Sequence, residues 1–332
     1  MGNALSSKEI VQQSKAAYKQ WCEQWRDHAK THKAMGIYST FLDFANIGVG
    51  RVLLLAGNGY SLEENFQTIK KYRDNIDIMC CDKSLGHFID MGMRPDYVVV
   101  CDANVDYEKY CMPWEDKLDQ TTLFVNVCAN PEWTKANWKN RCLFVNMDSI
   151  ESEKEFGPLS GCQNVLPAAT NVSNQMAVLA TQSSNQGRNN WFGYDKIVLI
   201  GYDYCWHPDG NYYAFDHDAD GKRQYMCHAH CLDRDFNMCF SSSNLVFSAK
   251  WLDDYIRSFG LPFVSGTKRT LLSSTPTKNL EQQLQYTYKP NDSITVRGLS
   301  DLKMQLMQQV QKIDQKLTRM GHDHMMNYRQ SI

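Results

Sequence analysis

The sequence predicts an α/β fold: a mostly parallel sheet flanked by helices, with a helical extension at each end. Three observations predict it. Short apolar runs alternate with helical segments from Arg51 to Ser265, the sequence form of βαβ units. A Gly57-Asn58-Gly59 turn carries the first of these runs straight into a helix. At 332 residues, 43% of them hydrophobic, the chain can bury one large core with additions.

Residues 7 to about 46 are rich in Lys, Gln, Glu, Ala and Trp and contain no Pro. Ile10, Val11, Ala17, Trp21 and Trp25 recur at roughly helical spacing, which predicts a helical extension over residues 1–48. Arg51 opens the run RVLLLA. Leu62 to Tyr72 follows as a helix with Glu63 and Glu64 in its first turn, where carboxylates suit the helix dipole. IDIMCCD (76–82), a helix through LGHFIDMG and PDYVVVCD (95–102) come next. LFVNVCA (123–129) and CLFVNM (142–147) read as strands, Val172 to Gln186 as a helix, and KIVLIG (196–201) as a further buried strand. From Asp203 to Phe240 the chain reads as polar loop. Leu245 to Gly260 reads as a helix, with LPFVS as a short strand behind it. These elements place one domain at 49–272. Residues 273–297, with Pro276 and Pro290, read as a linker. Leu299, Leu306, Ile313 and Met320 repeat at seven over 298–332, an amphipathic helix with a coiled-coil-like seam. That seam would serve either packing on its own domain or pairing into a homo-oligomer.

Composition narrows the function classes. Lys+Arg 35 against Asp+Glu 37 lacks the basic excess of a nucleic-acid binder. No apolar run approaches the ~20 residues of a membrane span. The 12 Cys sit largely inside apolar runs, as Cys80, Cys81, Cys101, Cys128 and Cys142 do, where thiols act as small buried hydrophobes. With no apolar signal-peptide region in MGNALSSKEIVQQSK, the expectation is free thiols in a reducing, cytoplasmic compartment. The same N-terminus fits the myristoylation pattern M-G-x-x-x-S/T at Gly2.

The strongest local feature is strand–Gly57-Asn58-Gly59-Tyr60-Ser61–helix. Such a turn aims backbone N–H groups and the positive end of a helix dipole at an anion, usually phosphate. Three further strands end in an acid: Asp82, Asp102 and Asp203. In open α/β sheets ligands bind beyond the carboxyl ends of the strands, where carboxylates can meet ribose hydroxyls, hold Mg²⁺ or act as a base. Each of these acids taken singly also fits a plain turn or helix cap. Met226-Cys227-His228-Ala229-His230-Cys231, with Cys239 and His217, gathers soft ligands. It lacks a second matching pair, so a loop with free thiols is expected rather than structural zinc. The aromatic tract Trp206–Phe215 suits either an acceptor platform or a loop packed on the core.

AGNGYSLEEN followed by DKSLGHFIDMGMRPDYVVVCDAN resembles the domain shared by flagellar motility-accessory-factor glycosyltransferases and 6-hydroxymethylpterin diphosphokinase-like proteins. Gly57, Gly59, Ser61 and Leu62 match that family's G-x-G-P-S-L turn, and Gly92, Pro95, Asp96 and Asp102 its later elements, with Tyr60 standing where the family has Pro. Asn171 to Ala180 and KIVLIGYDYCW are similar to its later helix and strand, so the likeness runs over roughly 50–270.

The resemblance implies a Rossmann-like nucleotide-binding domain and transfer from a nucleotide-activated donor, with a CMP-sugar or similar nucleotide sugar ahead. Gly57, Asn58, Gly59 and Ser61 would hold phosphate. Asp82, Asp102, Asn104 and Asn171 would face ribose, base or donor sugar. His207 or Asp203 would serve the chemistry, with no metal. The acceptor would be a glycan, protein or small molecule. Under the diphosphokinase alternative, Asp102 and Asp203 would hold Mg²⁺ bridging ATP phosphates. A third alternative is a non-catalytic binding or assembly protein that keeps the nucleotide fold.

Overall fold

The computed structural model describes residues 23–39, 44, 46–144, 171–181, 192–207, 213–215 and 229–285. Helix α1 covers 23–35, and β1 (Val52–Ala56) leads into α2 (Tyr60–Lys71). β2 (Ile76–Cys81), α3 (Leu85–Asp90), β3 (Tyr97–Val100), α4 (Tyr107–Tyr110), β4 (Thr122–Asn126) and β5 (Asn140–Phe144) follow. The second half holds α5 (Val172–Thr181), β6 (Lys196–Ile200), β7 (Ala229–Leu232), β8 (Met238–Ser241), α6 (Ser243–Phe259), β9 (Phe263–Ser265) and α7 (Leu280–Leu284).

Seven strands form one sheet in the order β5-β4-β3-β2-β1-β6-β9, every pair parallel. The chain steps outward from β1 to β5, then returns to lay β6 on the other side of β1. The topological switch point therefore lies between β1 and β6, the position where open α/β sheets bind ligands.

The strands are buried throughout because both sheet faces are covered. Val52, Leu54 and Ala56 face one core with Leu62, Phe66 and Ile69 of α2, Phe88 of α3, Trp133 and Leu280 and Leu284 of α7. Leu53 and Leu55 face a second core with Met176 and Leu179 of α5 and Leu245, Leu252 and Ile256 of α6. Helix α6 starts on a side-chain cap, Ser242 accepting from the Leu245 N–H, and stops at Gly260 in the left-handed region at φ 58.

The structure differs from the sequence reading in three places. Of the stretch 1–48 read as a helical extension, α1 ends at residue 35, where Gly36 turns into the left-handed region at φ 60, and 36–39 and 46–50 are not helix. Inside the tract read as loop, β7 and β8 form an antiparallel hairpin with Cys231 opposite Cys239. Its turn is built on Asp233, whose Oδ1 accepts from the N–H groups of Asp235 and Asn237, both at 2.9 Å. The strands have four residues each, too few for a clear period. The tract read as a linker is fastened down at its start. Asp253 of α6 is buried, and its carboxylate accepts from the N–H groups of Ser273, Ser274 and Thr275 and from the hydroxyls of Ser273 and Thr275. Helix α7 then packs on α2. The heptad seam, residues 1–22 and the N-terminal pattern at Gly2 lie outside the described residues. Among the described residues no helix is long and apolar enough to cross a membrane.

Candidate functional site

At the switch point the ends of β1 and β6 meet backbone to backbone. The Gly57 N–H donates to Ile200 O and the Gly59 N–H to Gly201 O, both at 2.9 Å. A Cβ on Gly57 would run into the Gly201 carbonyl, and Gly201 itself sits at φ +69. Only glycine satisfies both the approach and the left-handed backbone.

Asp203 closes this contact. Its Oδ2 accepts the Ser61 N–H at 2.7 Å, its Oδ1 accepts the Ser61 hydroxyl, and Ser61 Oγ accepts the Gly201 N–H at 2.9 Å. Ser61 is in the first turn of α2, so Asp203 supplies the negative charge that a helix N-terminus favours. Burial pushes the Asp203 carboxyl up to about 7, against the pull of its two Ser61 bonds. Three N–H groups expected to cradle phosphate, those of Gly57, Gly59 and Ser61, are thus engaged within the protein.

The ends of β2 and β3 are arranged differently. Asp82 follows β2 and accepts the Lys83 N–H at 2.7 Å. Burial raises its carboxyl to about 6, the Lys83 N–H and ammonium oppose this, and the Asp102 charge adds to the rise. Asp102 is exposed after β3 and accepts the Asn104 N–H at 2.8 Å, while Asn104 Oδ1 accepts from Gln24 of α1 at 3.1 Å. Asn58 Oδ1 accepts from Ser84 Oγ at 3.1 Å, which fastens the β1 turn to the β2 end. Lys83 is half-buried, with Nζ donating to Tyr213 Oη at 3.2 Å and lying 4.5 Å from the Tyr213 ring centre and 5.9 Å from that of Tyr110. Segment 213–215 lies over this corner, since the Ala214 N–H donates to Asn58 O and the Phe215 N–H to Glu63.

The remaining expected residues fall around this frame. Asn171 caps α5, its Oδ1 accepting the Ser173 N–H at 2.8 Å, and Tyr202 Oη donates to the Ser173 carbonyl. His207 stacks on Tyr60 with ring centres 3.8 Å apart, at the start of α2. Arg269, from the loop after β9, lies 5.8 Å from the Tyr60 ring and pairs with Glu64 at 3.0 Å.

Asp102 and Asp203 are not brought together as a Mg²⁺ pair. β3 and β6 are three strand spacings apart, roughly 14 Å, so the carboxylate near Asp102 is Asp82. Among the described residues no three His, Cys, Asp or Glu side chains come together as a metal site. Of the soft-ligand cluster, Cys227, His228 and His217 lie outside the described residues. Cys239 is a buried free thiol, as is Cys205.

Sequence reasoning missed Lys83, Ser84 and Arg269. Lys83 and Ser84 stand in the DKS that follows β2, so their position beside Asp82 was a usable signal. Nothing around Arg269 in TKRT pointed to the switch point.

Residues 27–209 match the family described as 6-hydroxymethylpterin diphosphokinase MptE-like. Among solved structures, that of the MAf glycosyltransferase from Magnetospirillum magneticum AMB-1 is similar to this chain, with a TM-score of 0.57 at 14% sequence identity. The likeness covers 84% of this chain and 42% of that one, so the chain spans less than half of that protein's length. At this identity the likeness is one of fold. No curated protein matches the chain. The family match takes in more than half of the chain, from α1 through the switch point, and the chain belongs to the MptE-like family.

Proposed function

We propose that this member of the MptE-like family is a transferase acting on a nucleotide-activated donor bound beyond the carboxyl ends of β1, β2 and β3. The favoured donor is a CMP-sugar or similar nucleotide sugar, and the acceptor a glycan, protein or small molecule. The observation that carries this is the grouping of Asp82, Lys83 and Asp102 beside the switch point, next to the Asn58 turn. Carboxylates and amides there suit ribose and donor hydroxyls, which gives Asp82, Asp102, Asn104 and Asn58 a binding role. His207, on the face of Tyr60, is the general base for the acceptor. Asp203 keeps a positioning role, since both of its oxygens accept from Ser61.

The family's description favours a second reading, a Mg-ATP-dependent diphosphokinase. There the cation would rest on Asp82 and Asp102, because Asp203 is three strands away from Asp102. Its charge would neutralise the phosphates, while this chain's residues orient them.

Thermal unfolding with a panel of CMP, UDP, ADP and ATP, in EDTA and in Mg²⁺, separates the readings. Stabilisation by CMP or UDP that persists in EDTA is expected, reaching about 2.7 kcal/mol at a hundredfold excess over Kd. Asp102→Ala should abolish that stabilisation, while His207→Ala should keep it and lose turnover. Stabilisation by ATP in Mg²⁺ alone selects the diphosphokinase. No response to any nucleotide would overturn both enzyme readings in favour of a binding or assembly protein.

A further inference from the structure

The geometry points to Lys83 as the residue that contacts the phosphate of the bound nucleotide, held ready between Tyr213 and Tyr110, in place of the Gly57–Ser61 backbone. This rests on the nucleotide-transferase reading and adds the identity of the group that meets the ligand's charge.

The first argument is that the usual anion site is filled. A helix N-terminus after a glycine turn attracts phosphate through unsatisfied N–H groups and its dipole. In α2 that place is taken by the Asp203 carboxylate on the Ser61 N–H, and Gly57 and Gly59 donate to β6. A phosphate brought to the same point would meet a carboxylate. The charge must be met by a neighbouring group.

The second argument is the setting of Lys83. β2 is hydrogen-bonded directly to β1, so the residue after Asp82 stands one strand from the glycine turn. Nζ donates to Tyr213 Oη at 3.2 Å, a neutral partner, and lies against two aromatic rings. Among the described residues no carboxylate lies within ion-pair distance of this ammonium, whereas Lys71, Lys135 and Lys268 each have one. An ammonium has three donors, and a phosphoryl oxygen is a stronger acceptor for them than a phenol. The two rings lie against the ammonium, and the adjacent Asp82 favours its charged form. The ligand class is a nucleoside monophosphate or diphosphate with its phosphate at the β2 end and its ribose toward Asp102 and Asn104.

The experiment measures binding of CMP, UDP, ATP and inorganic pyrophosphate to the full chain, its Lys83→Met variant and its Lys83→Arg variant, at several salt concentrations. Loss of a charge-assisted bond should weaken nucleotide binding at least about tenfold in Lys83→Met. Its affinity should also fall less steeply with salt, because one screened charge contact is gone. Lys83→Arg should recover part of both. Equal nucleotide affinity in wild type and Lys83→Met overturns the assignment of Lys83 and leaves the transferase reading standing. Weaker binding with an unchanged salt slope also overturns it, since that is the mark of local damage. If the wild type binds none of the four probes, the transferase reading falls and this inference falls with it.

Discussion

Asp203 after β6 and the Asp82–Asp102 pair after β2 and β3 stand at equivalent places, just past the carboxyl ends of parallel strands, and do opposite things. Asp203 is buried and its oxygens are taken up by Ser61, so it joins β6 to the start of α2. Asp102 is exposed and makes a local bond to the Asn104 N–H, while Asp82 is buried and accepts the N–H of the adjacent Lys83. At β6 the carboxylate is engaged with the start of α2, whereas at β3 Asp102 stays exposed to solvent. A strand-end acid is thus defined by which donors reach it: the first turn of α2 at β6, and the N–H groups of the next residues at β2 and β3.

The sharpest way to break this contrast is Gly201→Ala. The residue sits at φ +69 against the Gly57 carbonyl, so a methyl group adds left-handed strain and a backbone collision. Unfolding in urea should show a loss of about 3 kcal/mol or more. A midpoint equal to wild type would mean that β1 and β6 do not touch there.

A comparable effect is expected from Asp203→Asn, read as pH dependence. The folded carboxyl is raised to about 7 from its ordinary value of 3.8, so between these values the folded state holds a proton that the unfolded state has lost. Stability from this group is therefore greatest at low pH and falls as pH rises from about 4 to about 7. Stability differences between wild type and Asp203→Asn should change across that window by up to about 4 kcal/mol. A parallel pair of curves would show that Asp203 does not titrate as a buried group.

Asp102→Ala should move stability least, within about 0.5 kcal/mol in the same urea titration, while removing nucleotide-dependent stabilisation. A large loss of stability would move Asp102 to the structural side and erase the contrast.

Much of the sheet was legible because parallel strands covered on both faces read as unbroken apolar runs, as VLLLA and KIVLI do. The hairpin was hidden because β8 alternates exposed and buried residues over only four positions. The fastening of 273–275 was hidden for another reason. Its partner Asp253 lies about a helix and a strand earlier, and a Ser-Ser-Thr tract looks the same whether it binds a carboxylate or water. In the candidate site, residue types were legible and their partners were not. Nothing local says that Ser61 would meet Asp203 across 142 positions, nor that Lys83 would reach Tyr213 across 130.

Both borders of the sheet carry a short strip of chain. On the β5 side the Ser39 N–H donates to Arg141 O at 2.7 Å. On the β9 side Ser265 bridges Thr277, with the Ser265 N–H donating to Pro276 O and the Lys278 N–H to Ser265 O. Pro276 has no N–H of its own to offer a further strand. A row of unpaired backbone groups is a template on which another chain can stack and aggregate. The stretch that reads as a loose tether beyond β9 therefore also blunts a sheet of seven parallel strands against growth into a larger one.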